Sequence, residues 1–187
     1  MKKIKKNILI GVTGGISSYK TCELVRFFVK DGFSVKVMMT ESAVKFVSPL
    51  VFQNLSGNQV YTEMFQVLNA ETIQHISLSQ WADLCVVAPL SANSLSKIAN
   101  GICDNLLTTV ICAISNKTKV LFVPAMNENM WKNPIIQRNV KIIKTIIHYT
   151  ILNPQKGELA CGVYGEGRMP DPEDIFKQAK VSLKNNL

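Results

Sequence analysis

Two side chains in this chain combine proton chemistry near neutral pH with an unusual setting: His75 in QHISLSQWAD and Cys161 in GELACGVYGEGRMPDP. An imidazole changes charge between about pH 5 and 8, and a free thiol near ~8.5. Of the two histidines, His148 falls where a helix meets a strand and is read as structural. His75 precedes an apolar run that feeds a loop of interest, so a structural and a catalytic role both stay open. Cys161 stands in the glycine-rich tract 157–167, read as the one long irregular segment of the chain. Loops run over the surface, so a cysteine there is not core filler. The composition suits a mobile flap, over about residues 155–170, with a thiol near its centre.

Other residues offer binding rather than proton transfer. PAMNENMW, residues 124–131, crowds two Met, a Trp and two Asn directly after an apolar run. Turns favour small polar residues, so Met126, Met130 and Trp131 need something to pack against, and Asn127 needs a partner for its amide. GVTGGIS, residues 11–17, is neither GxGxxG nor a P-loop. It is either a plain tight turn or a place where small residues let backbone N–H groups approach a phosphate at a helix start. Thr40, Ser91 and Ser94 add hydroxyls after other apolar runs. A dinucleotide usually finds an acidic residue for its ribose at the end of the second strand. Thr40 stands there, which favours a mononucleotide carrying its own phosphate.

The elements that must hold these residues alternate. Asn7 to Thr13 reads as a strand, Ser17 to Lys30 as a helix with a Tyr19, Cys22, Val25, Val29 stripe, and Ser34 to Thr40 as a second strand. Helices follow at 48–55, 93–100, 105–114, 129–145 and 173–184, and strands at 84–90, 119–124 and 148–152. The strands are apolar along their whole length, which predicts a parallel sheet covered on both faces by helices. Ligands in such sheets bind beyond the carboxyl ends of the strands, where the loops above begin.

At 187 residues the chain suits one domain over residues 1–187. Its net charge of +8 is either a solvated basic surface or a bias toward an anionic partner, a phosphorylated small molecule first. No nucleic-acid motif and no zinc spacing is present, so no nucleic-acid partner and no metal are expected. No apolar run reaches membrane-span length, and the start MKKIKKNILIGV reads as a strand rather than a targeting segment. Five cysteines without a CxxC pair argue for a reducing, cytoplasmic setting.

Four segments, GVTGGISSYK, HISLSQWADLCVVAPLSANSLSKIANGICDNLL, PAMNENMW and GELACGVYGEGRM, stand in one register from about residue 7 to residue 176. Together they resemble the homo-oligomeric flavin-dependent cysteine decarboxylases. The resemblance implies a Rossmann-like αβα sandwich with a mostly parallel sheet, FMN as cofactor, and trimers or dodecamers with the site between neighbouring subunits. It implies FMN contacts from Gly14, Gly15, Ile16, Ser17, Thr40, Ser91, Ala92, Asn93 and Ser94, with Met126 near the flavin ring. His75 matches the active-site histidine, Asn127 the residue holding the substrate carboxylate, and Cys161 the flap cysteine that completes the reaction. The implied chemistry is oxidation of a cysteine thiol, loss of carbon dioxide, and return of the electrons. The implied substrate is 4'-phospho-N-pantothenoylcysteine, converted to 4'-phosphopantetheine on the route to coenzyme A, with a separate ligase chain supplying it. Within the family a peptidyl-cysteine decarboxylase of lantibiotic maturation is the rival; outside catalysis, an FMN-binding regulatory relative. Cys103 departs from the family pattern, which has a small residue there, and Leu90-Ser91 replaces the commoner Ala-Thr.

Overall fold

The computed structural model describes residues 6–65, 73–158, 162 and 164–184. In chain order the elements are β1 (Asn7–Val12), α1 (Ser18–Lys30), β2 (Ser34–Met39), α2 (Glu41–Val44), α3 (Pro49–Ser56), β3 (Val60–Tyr61), α4 (Gln74–Trp81) and β4 (Leu84–Leu90). They continue with α5 (Ala92–Ala99), α6 (Leu106–Ala113), β5 (Lys119–Pro124), α7 (Glu128–Lys132), α8 (Pro134–Lys144), β6 (Tyr149–Ile151), β7 (Gln155–Glu158), β8 (Tyr164–Arg168) and α9 (Pro172–Lys184). Strands β1 to β6 form one parallel sheet in the order β3-β2-β1-β4-β5-β6. The expected parallel α/β sandwich is the fold.

Strand pleating divides the core in two. Ile8, Ile10 and Val12 of β1 join Val35, Val37 and Met39 of β2 and Val86 and Ala88 of β4 under α1 and α9. Their neighbours Leu9, Met38, Cys85, Val87 and Phe122 face the other layer with Leu95, Leu107 and Val140. Successive side chains of a strand point to opposite faces, so continuous apolar runs fill both cores. Among the described residues, no helix is long and apolar enough to cross a membrane.

Several expectations change. The α1 stripe is rotated: Ser18, Thr21, Leu24, Val25 and Phe28 face inward, while Tyr19 and Val29 are exposed. Short hydroxyl side chains are admitted to the core because carbonyls at the sheet end accept from them, with Thr21 Oγ1 donating to Ala88 O at 2.8 Å. The helix expected at 129–145 is two helices, α7 and α8. Asn133 sits at ψ 129 because a residue before proline avoids helical backbone. Its side chain then accepts from Ile135 N at 2.9 Å and starts α8. His75 lies within a helix, α4, that the sequence reading left out; only Leu78 and Ser79 of α4 are buried, so it carries no apolar face to read. The tract 157–167 is not wholly irregular: β7 and β8 pair as an antiparallel hairpin.

Candidate functional site

The strand order places β1 and β4 side by side at the centre, and their following helices depart to opposite faces. Loops that part in this way leave a crevice at the carboxyl end of the sheet. A cavity of about 750 Å³ occupies it, in the size range of small-molecule sites. Its walls are Gly14 to Ser17 after β1, Pro89, Ser91 and Ala92 around the end of β4, Ala125 to Asn127 and Met130 after β5, and Gly167-Arg168 of β8. Tyr19, Lys20 and Glu158 complete it.

Among the described residues, none accepts a hydrogen bond from the amides of Gly14, Gly15, Ile16 and Ser17. Ser17 makes no side-chain cap on α1, and no acidic residue stands in that helix's first turn. These four residues line the cavity at the positive end of a 13-residue helix that carries no acidic residue in its first turn, a setting that favours an anion. Gly14 lacks a side chain of necessity, since a Cβ there would lie 2.5 Å from the Cβ of Ser42.

Thr13 ties this loop to its neighbour. Its buried hydroxyl donates to Pro89 O at 2.8 Å and accepts from Ser91 N at 2.7 Å. One side chain thereby sets the spacing between the amide cradle and the start of α5. There Ser91 Oγ accepts from Ser94 N at 3.3 Å. Thr13→Val keeps the shape and removes the hydroxyl, leaving the half-buried Ser91 amide without its acceptor. The variant should lose ~1–3 kcal/mol of stability in urea denaturation, and Thr13→Ser much less. Equal midpoints for the valine variant and the parent would show that the bridge contributes nothing.

The opposite wall is built on the PAMNENMW loop. Asn127 starts α7, its Oδ1 accepting from Asn129 N at 2.9 Å, which fixes the orientation of the carboxamide. Trp131 is 6% exposed and anchors the loop among Leu95, Val140 and Ile143, whereas Met130, 48% exposed, stays on the cavity wall. The hairpin closes on this loop from outside. Met126 N donates to Gly167 O at 3.1 Å, and Glu166 N to Glu128 Oε1 at 3.2 Å. Gly167 has φ 149, and any Cβ there would fall on the Met126 carbonyl oxygen. Lys132, 2.8 Å away, and then the Glu166 amide hold the Glu128 carboxyl below the usual carboxylate range, so the link between loop and hairpin stays ionised at neutral pH.

The family model described as Flavoprotein matches residues 1–183. The chain belongs to the Flavoprotein family. Among curated relatives of this Flavoprotein chain, the coenzyme A biosynthesis bifunctional protein CoaBC of Bacillus subtilis is 46% identical over 175 residues, 94% of this chain and 42% of that protein. The chain thus spans less than half the length of that bifunctional relative. The probable phosphopantothenoylcysteine decarboxylase of Streptococcus mutans is 38% identical over 95% of this chain and 99% of its own length. Among solved structures, a cysteine-to-serine mutant of PPC decarboxylase complexed with pantothenoylaminoethenethiol is 32% identical, covers 96% of this chain and 99% of its own, and has a TM-score of 0.87. The FMN binding protein AtHal3 is 33% identical over 97% of this chain and 98% of its own, with a TM-score of 0.83.

Within this Flavoprotein fold, Gly14, Gly15, Ile16, Ser17, Ser91, Ala92, Met126 and Asn127 meet in one cavity. Ser94 lies just behind it, bonded to Ser91. Asn93 is exposed on the first turn of α5 and is not on the wall. Thr40 is not on the wall either; its hydroxyl caps α2 by accepting from Ala43 N at 3.3 Å. His75, on α4 and half-buried, does not line the cavity of its own chain. Cys161 lies outside the described residues. His148 packs edge-on against Tyr149, away from the cavity, its pKa lowered by burial and then by Lys119. Burial pushes up the thiols of Cys85, enclosed in the core, and of Cys22, partly buried against it. Lys20, Pro89, Glu158, Gly167 and Arg168 were not foreseen as wall residues. The only sequence signal for them is their place beside segments that were.

Proposed function

We propose that this chain is an FMN-dependent decarboxylase of 4'-phospho-N-pantothenoylcysteine, forming 4'-phosphopantetheine in coenzyme A biosynthesis. The observation that carries the reading is one cavity joining four loop amides that no described residue engages to the Met126-Asn127 pair. The Streptococcus mutans relative, matched over almost its whole length, supports the substrate, and AtHal3 supports the cofactor.

The residues present fit a flavin mononucleotide. The amides of Gly14 to Ser17, with Ser91 and Ser94, would hold the phosphate. Pro89, Ala92, Ala125 and Met126 give an apolar wall for a flat ring. Held there, FMN would supply reversible two-electron chemistry at the thiol-bearing carbon, with no net redox change over the cycle. Asn127, its orientation set by Asn129 N, presents its amide to the substrate carboxylate. His75 takes the thiol proton. Because it stands away from its own cavity, we assign it to the cavity of a neighbouring copy in a homotrimer. Cys161 gives the late proton.

The reading is tested by incubating purified protein with 4'-phospho-N-pantothenoylcysteine. Carbon dioxide and 4'-phosphopantetheine are expected, with FMN as the chromophore released on denaturation. Release of FAD, or turnover only of peptides ending in cysteine, would overturn it. Cys161→Ser exchanges a thiol that titrates near ~8.5 for a far weaker acid. It should release about one carbon dioxide per site and leave the unsaturated enethiol rather than the saturated thiol. The PPC decarboxylase cysteine-to-serine mutant complexed with pantothenoylaminoethenethiol fits this expectation. Full turnover by the Cys161→Ser variant would remove Cys161 from the chemistry.

A further inference from the structure

The cavity wall carries two cations held by one carboxylate oxygen. Lys20 Nζ lies 3.2 Å from Asp171 Oδ1, and Arg168 Nη2 lies 2.8 Å from the same atom. Lys20 stands in the first turn of α1, with its side chain 16% exposed; Arg168 ends β8, 38% exposed. Asp171 is held in turn, its carbonyl accepting from Asp174 N and Ile175 N at the start of α9. The Arg168 side chain crosses Gly157, where a Cβ would lie 2.8 Å from Arg168 Cδ and 3.3 Å from Nη1. A bare position on β7 thus gives the guanidinium its path.

One carboxylate oxygen engages a single donor from each cation. An ammonium has three donors and a guanidinium five, so most of their N–H groups remain for a ligand. Glu158 is the one carboxylate on the wall among the described residues, and it is exposed. The Lys–Arg pair fits a phosphomonoester dianion through charge-assisted hydrogen bonds. The functional reading places two such groups in the site, one on the flavin and one on the substrate. The uncharged amide cradle takes one. Arg168 lies on the hairpin, where Gly167 beside it bonds the backbone of Met126 next to Asn127, and Lys20 reaches it from the first turn of α1 at the shared Asp171 oxygen. Resting on the proposed function, we propose that Lys20 and Arg168 bind the phosphate of the substrate and set the preference for the phosphorylated form.

Lys20→Gln and Arg168→Gln are compared with the parent on the phosphorylated substrate and on its dephospho form, pantothenoylcysteine. The preference for the phosphorylated form, as a ratio of kcat/KM values, should fall about 10- to 100-fold in each variant, through KM. Asp171→Asn cuts both ion pairs yet keeps both cations, and should retain most of that preference. A general loss of folding lowers both substrates together and leaves the ratio unchanged, which would overturn the proposal. So would an equal loss of preference in Asp171→Asn, which would make the cluster a structural tie. A fall in the FMN-over-riboflavin affinity ratio instead would assign the clamp to the flavin phosphate. A parent that turns over neither substrate removes the functional reading, and the clamp with it.

Discussion

Asn127→Asp should fold, retain its flavin and lose roughly 10³-fold in turnover. Aspartate is as good as asparagine at starting a helix, and its charge suits the positive end of α7, so the bond from Asn129 N survives. What changes is the group facing the substrate. A carboxylate about 4 Å from the substrate's own carboxylate costs ~4 kcal/mol where the effective dielectric constant is about 20, which is the expected factor in rate. Released carbon dioxide and the urea midpoint are measured on the same preparation. Parental turnover would mean that Asn127 does not hold the carboxylate, and a collapsed midpoint would mean that its task is the cap alone.

His75→Asn should be just as inactive, although the substitution lies outside the cavity of its own chain. An amide cannot take a proton that an imidazole can. The informative experiment mixes two dead variants. In a closed oligomer whose sites each draw His75 from one chain and Asn127 from the next, random mixing of His75→Asn with Asn127→Asp leaves roughly a quarter of the sites complete. Coexpressed protein should therefore recover about that share of the parental rate, while each variant alone stays inactive. No recovery would return His75 to its own chain or to a structural task.

The residues now placed around the cavity were unequally readable. Strands such as LCVVAPL announced a sheet covered on both faces, because only a fully buried strand gains from being apolar at every position. PAMNENMW stood out because its composition departs from what a turn requires, and GVTGGIS because small residues at a helix start let backbone N–H groups approach an anion; both loops line the cavity. A break between α7 and α8 could have been read from Asn133-Pro134, since the constraint is local. Helix α4 offered no such signal, having no apolar face.

Local sequence determined five of the six strands of the parallel sheet, most of the helices and the loops that follow them, because turn chemistry, capping and apolar periodicity act over a few residues. Tertiary structure alone decided which hydroxyls turn inward. The hydroxyls of Thr13 and Thr21 find their acceptors only when the carbonyls of residues 89 and 88 are brought within reach. It alone brought Lys20, Arg168 and Asp171 to one point, and separated His75 from Asn127 within the chain. Contacts between residues more than a hundred positions apart depend on how the sheet orders its strands and how helices and hairpin close over its end, and no short stretch of sequence carries that information.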